Sequence, residues 1–240
     1  MTQHQRKLRV ANLGTVEYQT ALALQAAMVA ARQIDEIGDT LLLLEHPHVF
    51  TLGRGADESF LLRQPSTDIP VYRVSRGGQV TYHGPGQLIG YPILKLEGRD
   101  RDVHRYLRNI EEAMIRALGD CNIEATRREG LTGVWVGGKK IGSIGVGIKR
   151  WTTFHGFALN VCPDLSYFSG FVPCGIEGCE MTSMGMLSEN DISEEAFATT
   201  MRSRFAEVFG YEESGTVDPA TLWPLVASDA PPLEERHRNA

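Results

Sequence analysis

Apolar positions along the chain recur with two periods, and the switches between them outline the elements. Tyr18, Leu22, Ala26 and Val29 fall at helical spacing, which predicts a helix over 18–37 with Gly38 as its stop. Residues 40–45 and 49–52 then read as strands broken by His46-Pro47, and 71–74, 79–82 and 88–94 read as further strands around glycine turns. A second helix is predicted over 102–118, with Val103, Leu107, Ile110, Met114 and Ala117 as its stripe and Gly119 as its end. Strands at 133–136 and 140–148 flank Gly137-Gly138, a hairpin turn signal, and 153–161 reads as another strand. Ser193 opens a last helix, with Glu194 and Glu195 at its positive end. Phe197, Met201, Phe205 and Val208 form its apolar stripe and Gly210 closes it. Hairpin-rich strands with a few separate helices imply an α+β fold on a mainly antiparallel or mixed sheet, not a regular βαβ alternation. The expected organisation is one folded domain over 1–227 and a disordered tail over 228–240, where prolines and charges replace the pattern.

Composition narrows the classes. Hydrophobic residues make up 42% of the 240, enough for a sizeable core. No run approaches the ~20 apolar residues of a membrane span. The basic start of the chain is followed by no apolar signal core, so a cytoplasmic protein is expected. Cys121, Cys162, Cys174 and Cys179 should then be thiols, being too few for a disulfide scaffold in a chain this long. A net charge of −6 argues against a general nucleic-acid binder, yet allows an acidic protein partner on a local basic patch. No exposed aromatic-rich segment announces a dimer interface, and a monomer is the default.

Three segments stand out chemically. Residues 76–87 pack four glycines and a proline among polar side chains, between apolar strands. Glycine lets a ligand approach the backbone closely; a pair of tight turns with solvated side chains is the equal alternative. Residues 137–147 place glycines at alternate strand positions, which weakens a strand unless a ligand or another backbone lies against it. Lys139 and Lys140, being adjacent on a strand, point to opposite faces, so at most one faces a pocket. Cys174, between Pro173 and Gly175, occupies a rigid turn and fits a buried small hydrophobe less well than Cys121 or Cys162. Its spacing to Cys179 lacks a second pair or a nearby histidine, so zinc is a poor reading. Among the histidines, His46 and His48 flank a strand break and His155 reads as a satisfied core residue. His83, inside the glycine-rich segment, has the better functional case.

Together these segments resemble the lipoyl(octanoyl) transferases. Arg76-Gly-Gly-Gln-Val-Thr-Tyr-His-Gly-Pro-Gly-Gln87 is similar to the family signature. Lys140-Ile-Gly-Ser-Ile-Gly145, His155-Gly-Phe-Ala-Leu-Asn160, Pro173-Cys-Gly175 and Glu45-His-Pro-His-Val-Phe-Thr-Leu-Gly-Arg54 match in the expected order, over roughly residues 10 to 210.

The resemblance implies a large mixed sheet with flanking helices and a small second sheet, as in the biotin and lipoate ligase catalytic domain. It implies Cys174 as the nucleophile and Lys140 as its partner. The substrate site would be Arg76, Gly77, Gly78, Gln79, Val80, Thr81, Tyr82 and His83, with Ser143, Ile144, Gly145, Gly156, Phe157 and Ala158. The implied donor is octanoyl-acyl carrier protein. The implied acceptors are lipoyl domains of 2-oxoacid dehydrogenase complexes and the glycine cleavage H protein. No cofactor, metal, nucleic acid or membrane enters. Arg76, Lys149 and Arg150 could receive these acidic partners, though the last two could equally be a solvated strand end. A charged lysine ~4 Å from the thiol would stabilise the thiolate by up to ~4 kcal/mol; a neutral one could take its proton. The sequence leaves both routes open, together with two rivals: an ATP-dependent lipoate ligase on the same fold, and a non-catalytic binder of the carrier or lipoyl domain.

Overall fold

The computed structural model describes residues 6–57, 69–171, 178–188, 193–227 and 233. Among the described residues, ten strands form two sheets. They are β1 (Lys7–Thr15), β2 (Thr40–Glu45), β3 (Val49–Leu52), β4 (Val71–Arg73), β5 (Val80–His83), β6 (Gln87–Ile93), β7 (Val134–Val136), β8 (Lys139–Lys149), β9 (Thr152–Asn160) and β10 (Glu212–Thr216). The larger sheet has the order β10-β1-β2-β6-β9-β8-β7 and the smaller β4-β3-β5. Both are mixed: β1 pairs parallel with β2 and β10, whereas β2, β6, β9, β8 and β7 run antiparallel in turn. The helices are α1 (Tyr18–Gln33), α2 (Val103–Gly119), α3 (Met184–Leu187) and α4 (Glu194–Phe209).

The period-2 pattern places side chains on both faces of the large sheet. Leu8, Val10, Leu41, Leu43, Leu88 and Leu159 face one layer, built with Ile110, Met114 and Ala117 of α2 and Phe197, Met201 and Phe205 of α4. Leu42, Leu44, Ile89, Tyr91 and Ile93 face the opposite layer, built with Leu24 and Met28 of α1. A sheet covered on both faces explains why β2 and β6 read as apolar runs rather than alternating strands. The small sheet packs Phe50, Leu52, Val80 and Tyr82 against Phe168 and Phe171.

Most predicted elements stand within a residue or two of the pattern. The Gly137-Gly138 turn has both glycines left-handed, at φ 55° and 86°, as a tight hairpin requires. Ser193 caps α4 by accepting from the Ala196 N–H, and Gly210 closes it at φ 69°. The first helix stops at Gln33 rather than Ile37, because Asp35 turns left-handed (φ 62°) and is held there by Arg32 and Lys95. The α2 stripe keeps Ile110, Met114 and Ala117 buried, but Val103 is exposed and Tyr106 and Glu111 are buried as well. Strands β1 and β10 have no counterpart in the reading of the sequence. Of the expected tail, only Leu233 is described; it packs on the α1 face of the sheet, and its carbonyl accepts from the Ser75 hydroxyl at 3.3 Å.

Candidate active site

A cavity of about 190 Å³ opens where the small sheet meets the large one. Its walls come from the glycine-rich segment, from Ser143, Ile144 and Gly145 of β8, from residues 155–158 of β9, and from Gly130, Leu131 and Thr132 ahead of β7. The glycine-rich turn is docked onto β8 by the Gly77 N–H, which donates to Val146 O at 2.9 Å. A β-carbon on Gly145 would lie 2.9 Å from Arg76 Cδ and 3.0 Å from Gly77 O. The glycines of β8 are therefore explained in part by another backbone lying against the strand.

Arg76 is buried and works inward. Its Nη2 donates to Thr51 O (2.7 Å), Thr51 Oγ1 (2.8 Å) and Gln79 O (2.9 Å), and Nη1 donates to Gly77 O (3.0 Å). It clamps the turn to β3 instead of offering a surface charge to a docking partner, which corrects that expectation. Lys149 and Arg150 lie at the β8–β9 turn, where Lys149 O accepts from Gln33 and Arg150 is exposed.

Buried histidines floor the cavity region. Burial, followed by the nearby His46 and Arg76 charges, holds His83 well below the ordinary imidazole range. Burial and then Arg76 push His155 down to about 3. Both rings are thus neutral at pH 7. His155 is no satisfied core residue: its Nε2 has no hydrogen-bond partner among the described residues, and it lines the cavity. Its φ of 52° lifts its N–H toward the Gln25 side chain of α1, which accepts at 2.7 Å. His46 is equally buried, bonded to Val16 O and the Tyr91 hydroxyl.

A polar relay runs beneath the site. His83 Nδ1 bonds Gln87 Oε1 (3.3 Å), Gln87 Nε2 donates to Asn160 Oδ1 (2.8 Å), and Asn160 Nδ2 donates to Thr182 O (3.0 Å). The donors and acceptors run in one direction, which assigns the proton of His83 to Nδ1. Residues 180–182 in turn lie along β8: Lys140 N–H donates to Glu180 O (2.8 Å) and Thr182 N–H to Lys140 O (2.9 Å).

The two adjacent lysines divide as their alternation requires. Lys139 is exposed and pairs with Glu180 at 2.8 Å. Lys140 is 1% exposed; its Nζ donates to Thr132 O at 3.2 Å and lies 5.1 Å from the Trp135 ring centre. Long cationic side chains are almost never buried this fully unless held by partners. Cys174 falls outside the described residues.

The family of the lipoyl protein ligase A/B catalytic domain matches residues 17–206. An octanoyltransferase of Gloeobacter violaceus is 46% identical over 207 residues, covering 85% of this chain and 92% of its own length. One of Rhodospirillum rubrum is 49% identical over 200 residues, covering 81% and 91%. The chain belongs to the octanoyltransferase family. Its fold is also that of the lipoate ligases. A lipoate protein ligase from T. acidophilum with bound lipoic acid aligns at a TM-score of 0.71 with 16% identity, over 95% of this chain and 100% of that one. A lipoate-protein ligase A bound with ATP aligns at 0.69 with 16% identity, over 91% and 93%.

In this octanoyltransferase, twelve of the fourteen residues expected at the substrate site line the cavity: Arg76, Gly78, Gln79, Val80, Thr81, His83, Ser143, Ile144, Gly145, Gly156, Phe157 and Ala158. Tyr82 does not. Strand alternation turns it to the far face of β5, where its hydroxyl meets His48 Nδ1 at 2.7 Å and its ring stacks on Tyr167. Gly77 is exposed and does not line the cavity. The sequence reading missed Tyr18, Tyr91, His155 and residues 130–132. No local motif marks the last three, because only the packing of that loop against Lys140 and α2 brings them to the wall.

Among the described residues, no three of His, Cys, Asp and Glu gather as a metal-ion set, and no helix is long and apolar enough to cross a membrane.

Proposed function

We propose that this octanoyltransferase moves an octanoyl group from octanoyl-acyl carrier protein to a lysine of a lipoyl domain, through a thioester on Cys174. The observation that carries the reading is the fully buried Lys140, held beside the cavity with its backbone paired to residues 180–182. Cys174 precedes Met181, the bridge partner of Lys140, by seven residues in the sequence.

In the first half-reaction the Cys174 thiolate attacks the donor thioester carbonyl, a new C–S bond forms and the donor C–S bond breaks. The carrier sulfur leaves as a thiol with a proton from the Lys140 ammonium, which is left as a neutral amine. Lys140 stabilises the thiolate as an ammonium or accepts its proton as an amine. In the second, the acceptor lysine attacks the enzyme thioester, an amide forms, and the Cys174 thiolate leaves. Lys140 takes the proton the attacking amine loses. Gly78, left-handed at φ 88° on the cavity wall, offers its N–H to the developing oxyanion.

The cavity suits the acyl chain. Val80, Leu131, Ile144, Phe157 and Ala158 supply apolar wall, and the neutral His83 and His155 add no charge. Its volume is below the roughly 300–1,000 Å³ of pockets that take drug-sized ligands, which favours a chain over a nucleotide. Each buried methylene contributes ~0.8 kcal/mol, so selection between neighbouring lengths is graded at about fourfold per carbon.

The test is incubation with octanoyl-acyl carrier protein, without ATP or acceptor, followed by intact and peptide mass spectrometry. One octanoyl adduct on Cys174, transferred to an added lipoyl domain, is expected. Acceptor octanoylation that needs ATP and free octanoate would replace this reading with a ligase. No acylation under either condition would favour a non-catalytic binder.

A further inference from the structure

Glu111 interrupts the buried stripe of α2 with a carboxylate that is 0% exposed. Its Oε2 accepts from Arg108 Nη1 at 2.6 Å and Arg127 Nε at 3.1 Å, from two half-exposed arginines. Its Oε1 points the other way and accepts from the Gly133 N–H at 3.0 Å. That N–H belongs to the same peptide unit as Thr132 O, the acceptor of Lys140 Nζ at 3.2 Å. In a trans peptide the C=O and N–H point in opposite directions. One peptide plane therefore has the lysine amine on its oxygen and a buried carboxylate on its hydrogen.

The surroundings are shaped for this contact. A β-carbon on Gly133 would lie 2.7 Å from Lys140 Cε and 3.1 Å from its Nζ, so a side chain there would displace the lysine. Gly133 also holds φ 137°, a conformation that L side chains rarely adopt. A carboxylate on the N–H polarises the peptide and makes Thr132 O a stronger acceptor.

We propose that Glu111 is a positioning residue for the acyl transfer: through the Thr132–Gly133 peptide it orients Lys140. This rests on the Cys174–Lys140 reading above. It assigns a second task to the 130–132 loop, which both lines the acyl cavity and holds the lysine. Glu111 itself touches no substrate.

The test is Glu111→Gln, which keeps the shape and the ability to accept from Gly133 but removes the charge, compared with Lys140→Ala and the parent enzyme. Acyl transfer is followed across pH with saturating donor. For Glu111→Gln, kcat is expected to fall on the order of tenfold with little change in the donor KM, and the pH profile to move toward acid, because a negative charge near the dyad is gone. Iodoacetamide labelling of Cys174 should show the same displacement without any turnover. Glu111→Asp keeps the charge but not the reach, and serves where the glutamine variant does not fold. It should lower kcat while leaving the pH profile near the parent's. A thermal shift with parent-like kcat and pH profile in Glu111→Gln would reduce Glu111 to a fold residue and overturn the proposal. Parent-like activity in Lys140→Ala would instead overturn the dyad on which it depends.

Discussion

Lowering the pH through the histidine range should destabilise the protein well before its carboxylates titrate, and His46 gives the size of the effect. Its Nδ1 lies 2.6 Å from Val16 O, an acceptor only, so Nδ1 carries the proton. Its Nε2 then accepts from the Tyr91 hydroxyl at 2.7 Å, an arrangement suited to the neutral ring. Burial pushes its pKa from 6.5 down to about 4. In the unfolded chain the ring titrates near 6.5, so between these values the unfolded state binds the extra proton. Stability attributable to neutral His46 is complete above the unfolded pKa and falls as pH drops toward the folded one, by ~1.4 kcal/mol per unit. From pH 7.5 to 4.5 the loss is about 2.5 kcal/mol from this one group. Urea unfolding of parent and His46→Gln at these two pH values measures it. The glutamine can still bridge Val16 O and the Tyr91 hydroxyl but cannot titrate. The parent's loss of stability between the two pH values should exceed the variant's by about 2.5 kcal/mol. Equal losses would mean that protonated His46 is tolerated in the fold and that burial does not hold it neutral.

Three further outcomes follow from particular contacts. Asp39 accepts from Arg32 Nε (2.7 Å), Lys95 N (2.9 Å) and the Tyr211 hydroxyl (2.5 Å), so Asp39→Ala removes a shared buried acceptor while Arg32 keeps Asp35, and should cost about 1–3 kcal/mol in chemical denaturation. Gly156→Ala puts a β-carbon 2.1 Å from Gly90 O across the β6–β9 ladder, where backbone must yield; a loss of about 1–3 kcal/mol is expected, read as a drop in melting temperature. Ile144→Phe enlarges a cavity-lining side chain and should turn the chain-length preference toward shorter acyl donors, measured as relative kcat/KM for hexanoyl and octanoyl carrier protein.

Much of the architecture is legible in the sequence alone. The strands at 40–45 and 49–52, the Gly137-Gly138 turn, the Ser193 cap and the Gly210 stop depend on local periodicity and on backbone angles that only certain residues adopt. The small residues of the glycine-rich loop and of β8 allow a close approach of backbone or ligand, and the β9 residues 156–158 are expected at the site only through the family resemblance. Adjacent lysines could be assigned to opposite faces, with at most one of them inside.

Other features required the tertiary arrangement. Strand β10 is short and carries no apolar pattern; its place beside β1 is set by pairing across the chain. Tyr82 and His83 share one motif, yet only the docking of the small sheet decides that the first packs away from the cavity while the second faces it. Residues 130–132 and Glu111 lie in segments without a motif. They become part of the site because a carboxylate on α2, a peptide ahead of β7 and an amine on β8 meet at one point. Periodicity reports which face of an element is buried, since that is a property of neighbouring residues. It cannot report which distant group a buried polar atom will bond, because that partner is chosen by how the layers pack.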